Sequence, residues 1–217
     1  ILNPRLSPRQ FLAATASELG VEQPRYHSNE LHEQIHDRLL ALKDEGRAAL
    51  LIVDEAHLIP SRATFEEIRL LTNFQLDDQN LIAVVLVGQP ELRTRLAHAR
   101  YRALTQRMGA SFHLTPLTED DAAAYLAHRL EVAGGSAEKR LFTDDAARLL
   151  HRAARGIPRV LNHLATQALL EAMARERSTV DADTAEAAVA GQPFLEGPAP
   201  QRETRRTPSE TVLSREG

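Results

Sequence analysis

The hydrophobic and polar positions of this chain follow different periods in its two halves. Between residues 1 and 115, continuous apolar runs alternate with helical stripes, which predicts strands separated by helices. Strands are predicted over 48–53, 81–87 and 110–114, and 1–4 is expected to be the tail of a further strand that enters a turn. Strands joined by helical crossovers pair in parallel, so this half predicts a three-layer α/β sandwich, with 81–87 covered on both faces.

Capping patterns place the helices of this first half. The segment 7–10 has the residues of a capping box, with a proline at the first helical position, and a second helix is expected over 29–43. A third helix follows Pro60, a polar turn is expected at 77–80, and a short helix begins near Glu91.

From residue 116 to about residue 190 the pattern predicts only helices. Thr118 and Thr143 are placed to cap two of them, and Pro158 begins a third. This half is therefore predicted to be a small all-α domain. The segment 191–217 is rich in Pro, Arg, Glu, Ser and Thr and is expected to be a disordered polar tail, because it has too little apolar content for a core.

Composition indicates an ordinary soluble globular protein, with 43% hydrophobic and 26% charged residues. The 26 basic and 30 acidic residues nearly balance, so overall charge gives no reason to expect nucleic acid or an anionic membrane as the partner. Cysteine is absent, which excludes disulfides and thiolate metal sites and is compatible with the cytoplasm. The sequence shows neither a signal peptide nor an apolar run of about 20 residues. The chain starts at Ile1 and is expected to be a fragment.

The strongest chemical signal follows the strand predicted over 48–53, where an apolar run ends in Asp54 and Glu55. This is the Walker B pattern of a nucleotide hydrolase. In such a site Asp54 would orient Mg²⁺ through its water shell, and Glu55 would polarise the water that attacks the terminal phosphate. A solvated acidic loop is the alternative. The usual partner motif, G-x-x-x-x-G-K-[ST], does not occur in these 217 residues.

Four further side chains could complete such a site. Gln89 ends the strand expected beside the Walker B strand, where its amide could sense the terminal phosphate. Arg102 and Arg107 precede the last predicted strand, where ring-forming ATPases place an arginine that reaches the neighbouring subunit's nucleotide. Arg159 lies in the first turn of a helix of the second domain and could reach a nucleotide when the domains close. The alternatives are a turn residue for Gln89 and surface roles for the arginines.

Five motifs, in this order along the chain, resemble the AAA+ ATPases of the ExeA (general secretion pathway protein A) and MshM type. They are Asn3-Pro4-x-Leu6-Ser7-Pro8, Val53-Asp54-Glu55-Ala56, Leu86-Val87-Gly88-Gln89-Pro90-Glu91-Leu92, Tyr125-Leu126-x-His128-Arg129-Leu130 with Ala133-Gly134, and Arg155-Gly156-Ile157-Pro158-Arg159-x-x-Asn162. The resemblance covers about residues 1 to 190. It implies an α/β P-loop NTPase core over 1–115, incomplete at its N-terminus, followed by a helical lid over 116–190. The family's phosphate loop would lie upstream of Ile1.

The resemblance also implies ATP and Mg²⁺ as cofactors and gives six residues roles in binding or hydrolysis. These are Asp54 and Glu55 as Walker B, Gln89 as sensor 1, Arg159 as sensor 2, and Arg102 and Arg107 in the arginine-finger region. Relatives tend to have Leu-Arg-x-Arg before the last strand, whereas Leu104 is followed here by Thr105, which leaves the choice of finger open. His57 is interpreted as a residue behind the site or on the surface.

The leading hypothesis is an AAA+ ATPase that couples ATP binding and hydrolysis to assembly of a secretion or pilus system. The resemblance implies a homo-oligomeric ring in the cytoplasm or at the cytoplasmic face of the inner membrane, with assembly proteins as partners. One alternative is a non-hydrolysing ATPase-like scaffold. Another is a DNA-associated ATPase of the transposition type, which would need a basic face to which Arg152, Arg155 and Arg159 could contribute. The fragment alone is expected to bind ATP weakly, if at all.

Overall fold

The structure is a computed structural model, and it describes residues 1–76, 79–135 and 140–191. The chain divides into two compact units, with the boundary between Phe112 and His113. The first unit contains a parallel pair of strands with helices, and the described part of the second is mainly helical.

The first unit begins with helices α1 (Pro8–Glu18) and α2 (Ser28–Asp44). The predicted capping box at the start of α1 is confirmed: Ser7 Oγ accepts from the backbone N–H of Gln10, and Gln10 Oε1 accepts from the backbone N–H of Ser7. These reciprocal bonds satisfy two donors that a helix start otherwise leaves without partners. Both helices then turn an apolar stripe into one core.

Two strands of this unit form a parallel sheet. The elements that follow α2 are β1 (Ala49–Val53), a 3₁₀ turn (Ala56–Leu58), α3 (Arg62–Leu71), β2 (Gln75–Leu76), β3 (Gln79–Asn80) and β4 (Ile82–Leu86). Strand β1 pairs in parallel with β4 in a register that sets Leu51 opposite Val84 and Val53 opposite Leu86. Strands β2 and β3 form a separate antiparallel pair. The part of the predicted polar turn at Asp77 and Asp78 lies outside the described residues.

The start of the chain lies alongside β1. The amino group of Ile1 donates to the carbonyl of Ile52 at 2.7 Å, and the carbonyl of Ile1 accepts from the N–H of Asp54 at 3.0 Å. This spacing is that of a parallel ladder. Ile1 is therefore paired with β1, but residues 2–4 form no strand, so the predicted strand tail is confirmed for Ile1 alone.

The described helices cover only one face of the β1–β4 pair. On that face Leu51, Val53 and Ile82 are buried. The opposite face keeps apolar side chains exposed: Leu50 is 59% accessible and Val85 is 43% accessible. The expectation that the apolar run 81–87 is covered on both faces is wrong within the described residues. An unbroken apolar strand indicates that both faces favour burial, but burial also requires a helix or another segment to pack on each face.

The predicted strand 110–114 is also wrong. After β4 come α4 (Pro90–Leu96), a second 3₁₀ turn (Ala99–Tyr101) and α5 (Arg102–Thr105). Residues 110–114 then form neither a strand nor a helix, and in the described part of the chain none of their backbone N–H groups has a backbone acceptor. Phe112 is 88% exposed and Leu114 is 92% exposed. The residue types favour an extended backbone, but a strand also requires a neighbouring edge to supply its hydrogen bonds.

In its described residues, the second unit packs four helices around its own core. They are α6 (Glu119–Val132), α7 (Asp144–Ala154), α8 (Pro158–Ala174) and α9 (Ala182–Ala190). The predicted caps Thr118 and Thr143 are confirmed, since each hydroxyl accepts from the N–H three residues later. Within the described ranges no helix is both long and apolar enough to span a bilayer. The predicted tail lies outside the described residues from residue 192 onward.

Candidate functional site

The carboxyl ends of β1 and β4 are joined beyond their last paired residues. The N–H of Val87 donates to the carbonyl of Val53 at 2.9 Å, and the N–H of Ala56 donates to the carbonyl of Val87 at 2.8 Å. The turn that carries Asp54 and Glu55 is therefore fastened to the end of the neighbouring strand. Polar groups at this position of a parallel sheet converge where such sheets bind ligands.

Asp54 is held at its backbone and at its carboxylate. Its N–H donates to the carbonyl of Ile1 at 3.0 Å, and its Oδ1 accepts from the N–H of Glu55 at 2.8 Å. The side chain is partly buried, so one carboxylate oxygen is engaged locally while the group still has acceptor capacity for another ligand. The free acceptor capacity of Asp54 is available to a cation or to a further hydrogen-bond donor.

Glu55 occupies the left-handed region of backbone space, at φ 51° and ψ 34°. For a residue with a Cβ this conformation costs roughly 1–2 kcal/mol. Such strain persists where the surrounding structure imposes it and is concentrated at functional sites. The Glu55 side chain is 47% exposed, and its Oε2 lies 3.4 Å from Nδ1 of His57. The strained turn thus presents the carboxylate to solvent, within reach of one histidine.

Gln89 follows β4 and takes the N-cap position of α4, directly before Pro90. Its side chain makes no capping hydrogen bond, while its backbone N–H donates to Nδ1 of His57 at 3.4 Å. The prediction that its strand lies beside the strand ending in Asp54 is confirmed by the parallel register of β1 and β4. Asp54, Glu55 and Gln89 therefore lie together at adjacent strand ends.

Arg102 and Arg107 are not part of this cluster, and Arg159 belongs to the other unit. Arg102 is the first residue of α5, and Arg107 follows the same helix; both are exposed. Neither side chain forms an ion pair or hydrogen bond with any residue that the structure describes, so their geometry does not favour one over the other as a finger. Arg159 belongs to the helical unit, where it is the exposed second residue of α8, after Pro158.

Arg95 stabilises the segment that follows Glu55, although nothing in its sequence context indicates this. Its guanidinium donates to the carbonyls of His57 and Ile59, and its Nε donates to the Tyr101 hydroxyl at 3.1 Å. The same group lies over the ring of Phe65, 4.8 Å from its centre. One cation therefore satisfies two carbonyls of the segment after Glu55 and rests on an aromatic ring, which together fix that segment.

Arg95→Met is expected to lower the free energy of unfolding of the first unit by roughly 2 kcal/mol, because it removes charge-assisted hydrogen bonds and leaves partly buried carbonyls without donors. Arg95→Lys is the matched control: it keeps the charge and cannot reproduce the planar fork, so it should recover less than half of the loss. Hydrogen exchange of the β1 amides in increasing urea measures both variants. Equal stability of Arg95→Met and the parent chain would contradict this role.

Comparison with known proteins identifies the family. A family model described as an AAA domain matches residues 1–96. The chain is also 42% identical over 177 residues to general secretion pathway protein A of Aeromonas hydrophila. This chain belongs to the AAA+ ATPases of the ExeA type. The alignment covers 81% of the chain and 32% of the relative, so this AAA+ chain spans about a third of the length of the curated protein that it matches.

Solved structures show the same fold at lower sequence identity. A point variant of RuvB from Thermotoga maritima matches with a TM-score of 0.52 and 18% identity, covering 71% of the AAA+ chain and 49% of RuvB. The RuvB Holliday junction branch migration motor of the same organism matches with a TM-score of 0.52 and 14% identity, covering 82% of the chain and 57% of that protein. The prediction of an AAA+ α/β fold with a parallel sheet is confirmed by this likeness.

Proposed function

We propose that the full-length protein is an ATPase that couples binding and hydrolysis of ATP to the assembly of a secretion or pilus system. The observation that carries the proposal is the meeting of Asp54, Glu55 and Gln89 at the joined ends of β1 and β4. A metal-orienting carboxylate, a water-polarising carboxylate and a phosphate-sensing amide are the groups that hydrolysis of a nucleotide requires at one place.

The carboxylates fit a magnesium ion that arrives with a nucleotide. Among the described residues, no group of three or more His, Cys, Asp and Glu side chains could hold a metal ion. Mg²⁺ in nucleotide sites is bound by one or two carboxylates together with phosphate oxygens and water, so Asp54 matches this use. When bound, Mg²⁺ would neutralise charge on the phosphates. Asp54 would orient it, and Glu55 Oε1 or Oε2 would accept a hydrogen bond from the attacking water.

The candidate arginines would supply the positive charge that binds the phosphates of the nucleotide. Arg159, at the start of α8, would act as sensor 2 in the helical lid, and Arg102 or Arg107 would act as the finger that reaches the nucleotide of the next subunit in a homo-oligomeric ring. A planar guanidinium suits both roles because it binds phosphate oxygens bidentately and keeps its charge. The exposure of all three side chains leaves them available for such contacts.

The biological role is supported by the name of the relative, general secretion pathway protein A. We place the protein in the cytoplasm or at the cytoplasmic face of the inner membrane, where it would act on assembly proteins of a secretion or pilus system. The phosphate loop is proposed to be supplied by the polypeptide that precedes Ile1.

Titration with Mg-ATP tests the proposal on two polypeptides. The full-length protein is expected to bind and hydrolyse ATP, and the 217-residue chain is expected to bind it at least about 100-fold more weakly. The phosphate loop adds several charge-assisted hydrogen bonds, and two such bonds amount to about 3 kcal/mol.

Each contrary result has a distinct meaning. Tight, Mg²⁺-dependent binding by the 217-residue chain would contradict the assignment of the phosphate grip to another segment. ATP binding without hydrolysis by the full-length protein would overturn the ATPase and support the non-hydrolysing scaffold. Salt-sensitive binding of the full-length protein to DNA would instead support the transposition-type alternative.

A further inference from the structure

A single nitrogen of His57 faces two of the groups at the candidate site. Nδ1 lies 3.4 Å from Oε2 of Glu55 and 3.4 Å from the backbone nitrogen of Gln89. The His57 side chain is only 12% exposed, so little water competes for this nitrogen. Among the described residues, His57 therefore joins the turn after β1 to the end of β4 through a side chain, in addition to the backbone bonds between them.

The two contacts exclude each other chemically. The N–H of Gln89 is a donor, so it needs a lone pair on Nδ1. An ionised Glu55 carboxylate only accepts, so it needs a proton on Nδ1. One ring nitrogen cannot offer both at once. A shift of Gln89 toward or away from the ring therefore changes what the ring can do for Glu55.

The surroundings hold the imidazole in this position. The carbonyl of His57 accepts from Arg95 at 3.4 Å. On the other side, a Cβ on Gly88 would lie 3.2 Å from the backbone nitrogen of His57 and 3.4 Å from its Nδ1. The ring and backbone of His57 thus pack closely against Gly88, which has no side chain.

We propose that His57 is a positioning residue that couples the sensor segment at Gln89 to the carboxylate of Glu55. This inference rests on the proposed ATPase function. When the Nδ1 lone pair accepts from Gln89, Glu55 has no hydrogen bond from the histidine and can orient the attacking water. When Gln89 withdraws and the Nδ1 position carries the ring proton, the imidazole donates to Glu55 and holds it. A displacement of Gln89 at the end of β4 thereby decides whether the Glu55 carboxylate accepts a hydrogen bond from His57.

A matched pair of variants separates this role from packing. His57→Asn places a polar atom where Nδ1 lies, whereas His57→Gln places one closer to the position of Nε2. In the full-length protein, His57→Gln removes the acceptor that holds the sensor segment at Gln89 in place. It is therefore expected to lower kcat for ATP hydrolysis by roughly 10-fold or more, the scale of positioning contacts, with the Kd for ATP unchanged. His57→Asn is expected to remain within about threefold of the parent. Equal kcat values for the two variants would overturn the proposal.

Hydrogen exchange at the Gln89 amide gives a second measurement that does not depend on activity. Gln89 is exposed, so protection of its N–H reports the bond to His57. In the 217-residue chain, exchange should be several-fold faster in His57→Gln than in the parent and close to the parent rate in His57→Asn. The same rate in all three proteins would contradict the coupling. If the full-length protein hydrolyses no ATP, the ATPase proposal fails, and this rate still decides whether the contact exists.

Discussion

Replacing Glu55 with Gln in the full-length protein is expected to abolish ATP turnover and to leave ATP binding intact. The amide has nearly the same shape as the carboxylate but lacks the charge that polarises the attacking water, and loss of such a group lowers rates by about 10²- to 10⁴-fold. ATP affinity should change little, because the proposed phosphate grip lies elsewhere and Asp54 keeps its own contacts. Phosphate release at saturating ATP gives kcat, and calorimetric titration gives the Kd.

Glu66→Gln is a matched control for this experiment. Glu66 lies in the same unit, its side chain is also 47% exposed, and it pairs with Arg69 on α3. Hydrogen bonds from Arg69 hold the pKa of Glu66 below its ordinary value, so this carboxylate is ionised at neutral pH, as a catalytic glutamate would be. Its replacement should leave kcat within about twofold, because an exposed i,i+3 pair contributes little. Normal turnover by Glu55→Gln would contradict the role given to Glu55.

Local chemistry made much of the first unit predictable. The Ser7 cap needs only residues three positions apart, and the apolar run before Asp54 needs only a buried strand. In each case a few neighbouring residues determine the backbone, so no knowledge of distant partners was required.

Two predictions failed because they depended on partners that residue types do not reveal. The segment 110–114 has the alternation of a strand, but no edge of the described sheet lies beside it. The outer face of β1 and β4 is apolar, but the described helices leave Leu50 and Val85 exposed. A residue pattern indicates what environment a segment favours. Whether a strand is paired and its faces are buried depends on the rest of the fold.

The contacts that support the site were not predicted, for a related reason. His57 and Gln89 are 32 positions apart, and Arg95 contacts a carbonyl 38 positions away. The four letters Asp54-Glu55-Ala56-His57 placed the histidine near the acids but did not show that β4 would bring Gln89 to the same nitrogen. Parallel pairing makes that contact, so the candidate acids were predictable from sequence while their coupling was not.

The segment before α6 is hydrogen-bonded to Gly156, three residues before Arg159, the proposed sensor 2. The N–H of Leu117 donates to the carbonyl of Gly156 at 2.9 Å, and Nε2–H of His151 donates to the carbonyl of Leu117 at 2.9 Å. Gly156 has φ 70° and follows Arg155, which is itself left-handed at φ 52°. The start of α8, including Arg159, is thus attached to the segment that leads into α6.

Gly156→Ala is expected to lower the free energy of unfolding of the helical unit by about 3 kcal/mol. A Cβ there would lie 2.4 Å from the carbonyl oxygen of Leu117, and that overlap adds about 1–3 kcal/mol to a penalty of roughly 1–2 kcal/mol for an alanine at positive φ. Gly134→Ala is the control in the same unit: Gly134 has φ 88°, and its Cβ would meet no described atom within 4 Å, so only the backbone penalty applies. Hydrogen exchange of the α8 amides in urea measures both. Equal losses would show that the contact with Leu117 does not constrain the start of α8. A larger loss for Gly156→Ala means that the close approach of Gly156 to Leu117 stabilises the segment that leads into α8 and Arg159.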